Sequence, residues 1–143
     1  MFKSQKFGID CGATKVMAQS VIYDSKSQII QPAGLNFEYN YSDSSFWNPN
    51  YIPIPIEIQK AELKNGVLNI KKAERIQASA IVEIIKQLIS KLNSKDIALC
   101  YPGLKSRSGI ILMANGPRIP DLIDQIPELK TIYHDSECCL LGE

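Results

Sequence analysis

The chain has almost no charge imbalance. Its 16 lysines and arginines face 15 aspartates and glutamates, a formal net charge of +1 over 143 residues, so nothing in the balance points to nucleic acid or an anionic membrane as partner. A small neutral or anionic ligand is the better match. Also missing is any run near the roughly 18 to 20 apolar residues of a membrane helix, and the opening Met1-Phe2-Lys3-Ser4-Gln5-Lys6 has no apolar segment of signal-peptide type. The cytoplasm is the expected location. His134 is the only histidine, too few for a histidine metal site. The four cysteines, Cys11, Cys100, Cys138 and Cys139, show no C-x-x-C spacing, which argues against zinc. They are expected to be buried, reduced thiols.

What is present is a hydrophobic content of 45%, enough for one compact domain with a real core. From Lys6 to Asp24 two β-prone runs flank a Cys-Gly-Ala-Thr turn, and a second turn at 24–27 leads to a third run over 28–33. This predicts a three-stranded antiparallel meander. Residues 34–72 follow no clear period, and Pro53 and Pro55 deny them a central strand. Weak strands at 54–58 and 66–70, joined across Lys64-Asn65-Gly66, predict an edge hairpin within an inserted flap, because Asn-Gly is a turn-forming pair.

Beyond the flap the pattern sharpens. Ile81, Ile84, Ile85, Leu88, Ile89 and Leu92 fall at helical spacing, with Glu74, Arg75, Lys86 and Lys91 off that stripe, and predict an amphipathic helix over 73–92. Residues 97–101 read as a strand covered on both faces and stopped by Pro102-Gly103. Further strands are expected at 109–113 and 130–133, a short helix capped by Asp121 through Gln125, and a helix begun over 137–142. A meander followed by helices and further strands is α/β, with ligands at strand ends and helix N-termini.

Two places could carry chemistry. In Gly8-Ile9-Asp10-Cys11-Gly12-Ala13-Thr14-Lys15 a carboxylate ends a strand and small residues follow, an outfit that can hold a hydrated magnesium ion and bring backbone N–H groups to phosphate oxygens. By itself the segment is equally a plain hairpin turn. Asp135, ahead of a helix, can accept a proton from a hydroxyl or simply serve as an N-cap. His134 beside it could tune that carboxylate or pack at a strand end.

The segment Asp10-Cys11-Gly12-Ala13-Thr14-Lys15 is similar to the first phosphate motif of the actin/hexokinase/Hsp70 ATPase superfamily. Tyr101-Pro102-Gly103, with Ser108-Gly109-Ile110-Ile111 and Ala114-Asn115-Gly116-Pro117, resembles the stretch of ROK-family sugar kinases where a strand ends in Pro-Gly and an Asn-containing loop borders the sugar. His134-Asp135-Ser136-Glu137-Cys138-Cys139-Leu140-Leu141-Gly142-Glu143 resembles the ROK segment that carries the catalytic base.

The resemblance implies an actin-like ATPase lobe of ribonuclease-H-like fold over 6–143, with an antiparallel meander, a mixed central sheet and flanking helices. It implies ATP and Mg2+ as cofactors, with Asp10, Gly12, Thr14 and Lys15 at the phosphates and Asp10 also toward the metal. It implies Gly103, Asn115, His134 and Glu137 on the sugar and Asp135 as the base. Three departures stand out. ROK kinases have Gly-Gly where this chain has Gly12-Ala13, so a positive φ at Ala13 would be strained, and His134 and Glu137 replace two asparagines. The second Gly-rich segment, the Glu-x-Gly-His contacts, the zinc loop and the adenosine pocket, which the family places later, have no counterpart. The expectation is an N-terminal lobe without its C-terminal lobe, completed by such a lobe or by self-association. The competing expectation is a non-catalytic sugar- or protein-binding module that keeps the fold.

Overall fold

A computed structural model describes residues 5–142, with side chains as far as Cys138. Three strands, β1 (Lys6–Cys11), β2 (Lys15–Asp24) and β3 (Ile29–Asn40), form the expected antiparallel meander. β4 (Asp96–Cys100) and β7 (Ile132–Tyr133) add in parallel on the other side of β1, giving the mixed order β3-β2-β1-β4-β7. A short hairpin of β5 (Leu104–Lys105) and β6 (Ile110–Leu112) stands apart. The helices are α1 (Ile56–Lys64), α2 (Lys72–Leu92), α3 (Leu122–Gln125) and α4 (Asp135–Gly142).

Alternation in the first two strands explains which face is covered. Phe7, Ile9 and Cys11 of β1 and Val16, Ala18 and Ser20 of β2 point into the core, while Gly8, Asp10, Met17 and Gln19 point the other way. The apolar stripe of α2 lies in the same core, and all six of its predicted positions, Ile81 to Leu92, are buried. Each such aliphatic side chain stabilises the fold by roughly 1.5–3 kcal/mol relative to exposure. Asn93, in the left-handed region at φ 47°, ends the helix.

The 34–72 stretch differs most from expectation. β3 runs on to Asn40, seven residues past the predicted end, because a bulge opposite Ser20 restores the pairing: Leu35 N–H donates to Ser20 Oγ at 3.0 Å, and Gln19 Nε2 donates to the Leu35 carbonyl at 3.0 Å. The predicted hairpin across Asn65-Gly66 is absent, and helix α1 stands in its place. The Asn-Gly pair ends that helix as a Schellman motif, with Gly66 at φ +69°, Gly66 N–H on the Leu63 carbonyl (3.1 Å) and Val67 N–H on the Glu62 carbonyl (3.0 Å).

Buried polar contacts tie the stretch to the rest of the domain. Gln59 of α1, fully buried, donates to the carbonyls of Ile54 (2.6 Å) and Met113 (2.8 Å) and accepts from Met113 N–H (2.8 Å). Arg118, also fully buried, grips Glu74 through Nε (2.8 Å) and a second nitrogen (2.9 Å) and reaches Glu62 at 2.5 Å. Glu74, read from the sequence as off the apolar stripe, is thus 1% exposed and paired. Asp121 flanks α3 without a side-chain capping bond and accepts instead from Gln125 Nε2 at 2.9 Å. Among the described residues no helix is long and apolar enough to cross a membrane.

Candidate functional site

Because β1, β4 and β7 are parallel, their C-terminal ends meet along one edge of the sheet. Asp10 sits at the end of β1, Cys100 ends β4, and Asp135 opens α4 two residues after β7. Their ligating atoms lie within 4.8 Å of one another. A cleft of about 570 Å³ opens over this edge, lined by Asp10, Gly12, Gly103, Asn115, His134 and Asp135 among others. Six predicted site residues, from all three motifs, thus share one wall-to-wall space.

Gly103 makes the close approach possible. Its φ is +97°, and a Cβ there would sit 2.6 Å from the Leu112 carbonyl oxygen, so any side chain would push the hairpin off the cleft.

The charges at the edge are arranged unusually. Cys100 Sγ donates to Asp135 Oδ1 at 3.0 Å. Burial, and then the neighbouring Asp135 and Cys138, push the Cys100 thiol well up from its ordinary value, so it stays a proton donor. Asp10 and Asp135 are both exposed, and neither forms an ion pair with a described lysine or arginine. Two neighbouring carboxylates without a cation suit a hard divalent ion that keeps several of its waters.

The phosphate-loop residues divide. Gly12 N–H is consumed by the Lys15 carbonyl at 2.9 Å inside the turn, while Ala13 has no positive φ, so the expected strain from replacing glycine is not there. Thr14 and Lys15 lie outside the cleft lining: Tyr41 N–H takes the Thr14 carbonyl at 2.9 Å, and Lys15 Nζ pairs with Glu38 at 3.0 Å on the exposed surface.

Glu137 is also outside the cleft lining. It accepts from His134 N–H at 2.7 Å and from Lys105 Nζ at 2.6 Å, and His134 Nδ1 accepts from Ser136 N–H at 3.1 Å. This is a capping box around Asp135, with His134 in the role usually filled by serine or threonine. The bond from His134 N–H, and then Lys105, hold the Glu137 carboxyl below its usual range. His134 still borders the cleft.

Three of the four cysteines have described side chains. Cys11 is buried, as expected, with its thiol pushed up by burial, but Cys100 is half-buried and Cys138 exposed. Cys139 lies beyond the described side chains. The sequence reading missed Cys100 as a site residue, although the last residue of a parallel strand was a signal available to it.

The sequence matches no protein-family model and no curated protein. Two of the solved structures that share its fold carry descriptions that bear on function. One is a candidate sugar kinase from Cytophaga hutchinsonii ATCC 33406, with a TM-score of 0.50 and 21% identity over 97% of this chain and 38% of that one. The other is the inorganic polyphosphate/ATP-glucomannokinase from Arthrobacter sp. strain KM, with a TM-score of 0.52 and 16% identity over 99% of this chain and 48% of that one. The chain therefore spans less than half the length of either. At these identities the likeness is one of fold: the mixed α/β arrangement of this chain recurs within two chains described as sugar kinases.

Proposed function

We propose that the chain is the sugar-side lobe of an ATP- and magnesium-dependent carbohydrate kinase of ROK type, with an actin-like, ribonuclease-H-like fold. The observation that carries this reading is the meeting of Asp10, Gly12, Gly103, Asn115, His134 and Asp135 around one cleft at the strand ends. Three segments far apart in sequence supply them, in the order the ROK resemblance requires. The order β3-β2-β1-β4-β7 also supports the fold assignment.

In this reading Asp135 takes the proton of the attacking sugar hydroxyl. The cap formed by His134 and Glu137 fixes the first turn of α4, and the Cys100 thiol holds one carboxylate oxygen, leaving the other to face the hydroxyl. Asn115 and His134 border the acceptor. Magnesium, when bound, screens the phosphates and supports their electrophilicity; Asp10 and Asp135 would hold it largely through its waters. The exposed N–H groups of the turn belong to Ala13 and Thr14, since that of Gly12 is used internally. Lys15 would reach a phosphate only by leaving Glu38.

The test is calorimetric titration of the chain with Mg·ATP and with a hexose panel, alongside Asp135→Asn. Sugar binding at millimolar affinity or better that the variant weakens supports the reading. With a complementing C-terminal lobe present, Asp135→Asn should lower kcat by roughly 10²–10⁴-fold. Retention of full phosphate transfer by that variant would exclude Asp135 as the base and favour a non-catalytic module.

A further inference from the structure

Next to the main cleft lies a second cavity of about 180 Å³. The two share Gly12, Ala13, Met113 and Asn115 in their walls, so they are neighbouring compartments of one depression. Nothing in the kinase reading uses the second one. Its far wall comes from the irregular segment after β3, with Trp47, Asn48 and Tyr51, and its floor from α2, with Gln77.

The lining is neutral: no lysine, arginine, aspartate or glutamate is part of it. That disfavours a phosphate, a carboxylate or a cation as occupant. Amide-bearing residues line it from three different elements, Asn48 from the loop, Gln77 from α2 and Asn115 from the segment after β6. Trp47, whose ring packs on Tyr41 at a centroid distance of 5.8 Å, adds a rigid aromatic surface.

Gln77 is the informative residue. It is only 3% exposed, and its Oε1 accepts from Asn48 N–H at 2.9 Å. Its Nε2 donates to no described residue and, unlike the Tyr51 hydroxyl, is not sealed from solvent; the residue lines the cavity. A largely buried amide whose nitrogen keeps solvent access beside a cavity can donate to a ligand with acceptors. Donors and acceptors spread around a rim, with an aromatic wall, fit a pyranose ring, whose hydroxyls project all round it. They fit a nucleobase less well, since its polar atoms lie on its edges.

We propose that this compartment is an accessory subsite for a second sugar ring, so that the acceptor is an oligosaccharide with its reacting hydroxyl at Asp135 and its neighbouring ring against Trp47 and Gln77. The inference rests on the kinase reading for the position of the first ring. Asn115, on the boundary, faces both rings. The two compartments together fall within the roughly 300–1,000 Å³ common for small-molecule sites.

The experiment is titration of the chain, with binding followed by calorimetry, against glucose, against glucose disaccharides of several linkages, and against adenosine. At least one disaccharide should bind about tenfold more tightly than glucose. Gln77→Glu keeps the acceptor for Asn48 N–H but removes the two donors, and it should bring that disaccharide back to the glucose level without changing glucose binding. Trp47→Phe, which keeps an aromatic packed on Tyr41, should do the same in part if Gln77→Glu does not fold. Glucose binding that depends on Asp135, with no disaccharide bound better, would overturn the subsite and leave the kinase reading intact. Failure of every sugar to bind would overturn both. Adenosine binding that Gln77→Glu abolishes would assign the compartment to a nucleoside and overturn the proposal.

Discussion

The molecule gathers carboxylates in two places and treats them in opposite ways. Around Arg118, Glu74 and Glu62 are bound to a fully buried guanidinium, and Arg118 N–H and the Asn69 carbonyl complete the network. At the strand ends, Asp10 and Asp135 lie in the open with a neutral thiol between them. The first arrangement satisfies every charge and holds α1, α2 and the segment after β6 together. The second leaves charge unsatisfied where a ligand can reach it. A perturbed or crowded carboxylate is therefore no sign of function in this fold until its cation is looked for.

The contrast can be broken from either side. The largest effect belongs to Arg118→Ala, which leaves Glu74 buried without its partner and should cost on the order of 3–5 kcal/mol in urea unfolding. The paired change Arg118→Met with Glu74→Leu should recover part of that, because no buried charge is then stranded at 74 and only Glu62, 15% exposed, loses its cation. A loss as large in the double variant would mean that the network fixes geometry as well as charge.

Asp10→Asn should do the reverse. Stability without metal should stay within about 0.5 kcal/mol of the parent, since an exposed, unpaired group is removed. Millimolar magnesium should raise the melting temperature of the parent and leave the variant unmoved, because only binding to the folded state stabilises it. Equal protection of both would remove Asp10 from the metal site.

The smallest effect concerns Glu137, whose carboxyl is held below its usual range by His134 N–H and by Lys105. A depressed folded value means that the stabilisation is present above the ordinary glutamate value of about 4.3 and is lost as pH falls through the folded value. The melting-temperature gap between the parent and Glu137→Gln should be open at pH 7 and should narrow as pH falls below the ordinary glutamate value. A gap that does not narrow anywhere in the acid range would show that the cap does not depend on the charge.

How much of this was legible in the sequence depended on whether a pattern was local. The stripe from Ile81 to Leu92 named its own helix and its buried face, and the β-prone runs and turns over 6–33 named the meander. Asn65-Gly66 misled because one dipeptide serves both a hairpin turn and a helix C-terminus. What decided between them was Gln59 and its bonds to Met113, 54 residues away. The bulge at Ser20 and the burial of Glu74 by Arg118 are likewise products of tertiary pairing. At the site, the motifs named the residues that meet, Asp10, Gly103, Asn115, His134 and Asp135. They could not show that Lys15 turns to Glu38 or that Glu137 is spent on a cap. The role of Cys100 emerged only when the parallel strand ends were set side by side.

Helix α2 carries a mechanical consequence. Glu74 in its first turn ties down Arg118, and Gln77, one turn on, ties down Asn48. Asn48, which lines the smaller compartment, and Arg118, next in sequence to its lining residue Pro117, are thus both bolted to a single 21-residue beam, and that beam is packed on the core along its length. The walls cannot swing apart without lifting the helix from the sheet. The width of that compartment should then hold steady whether or not anything is bound.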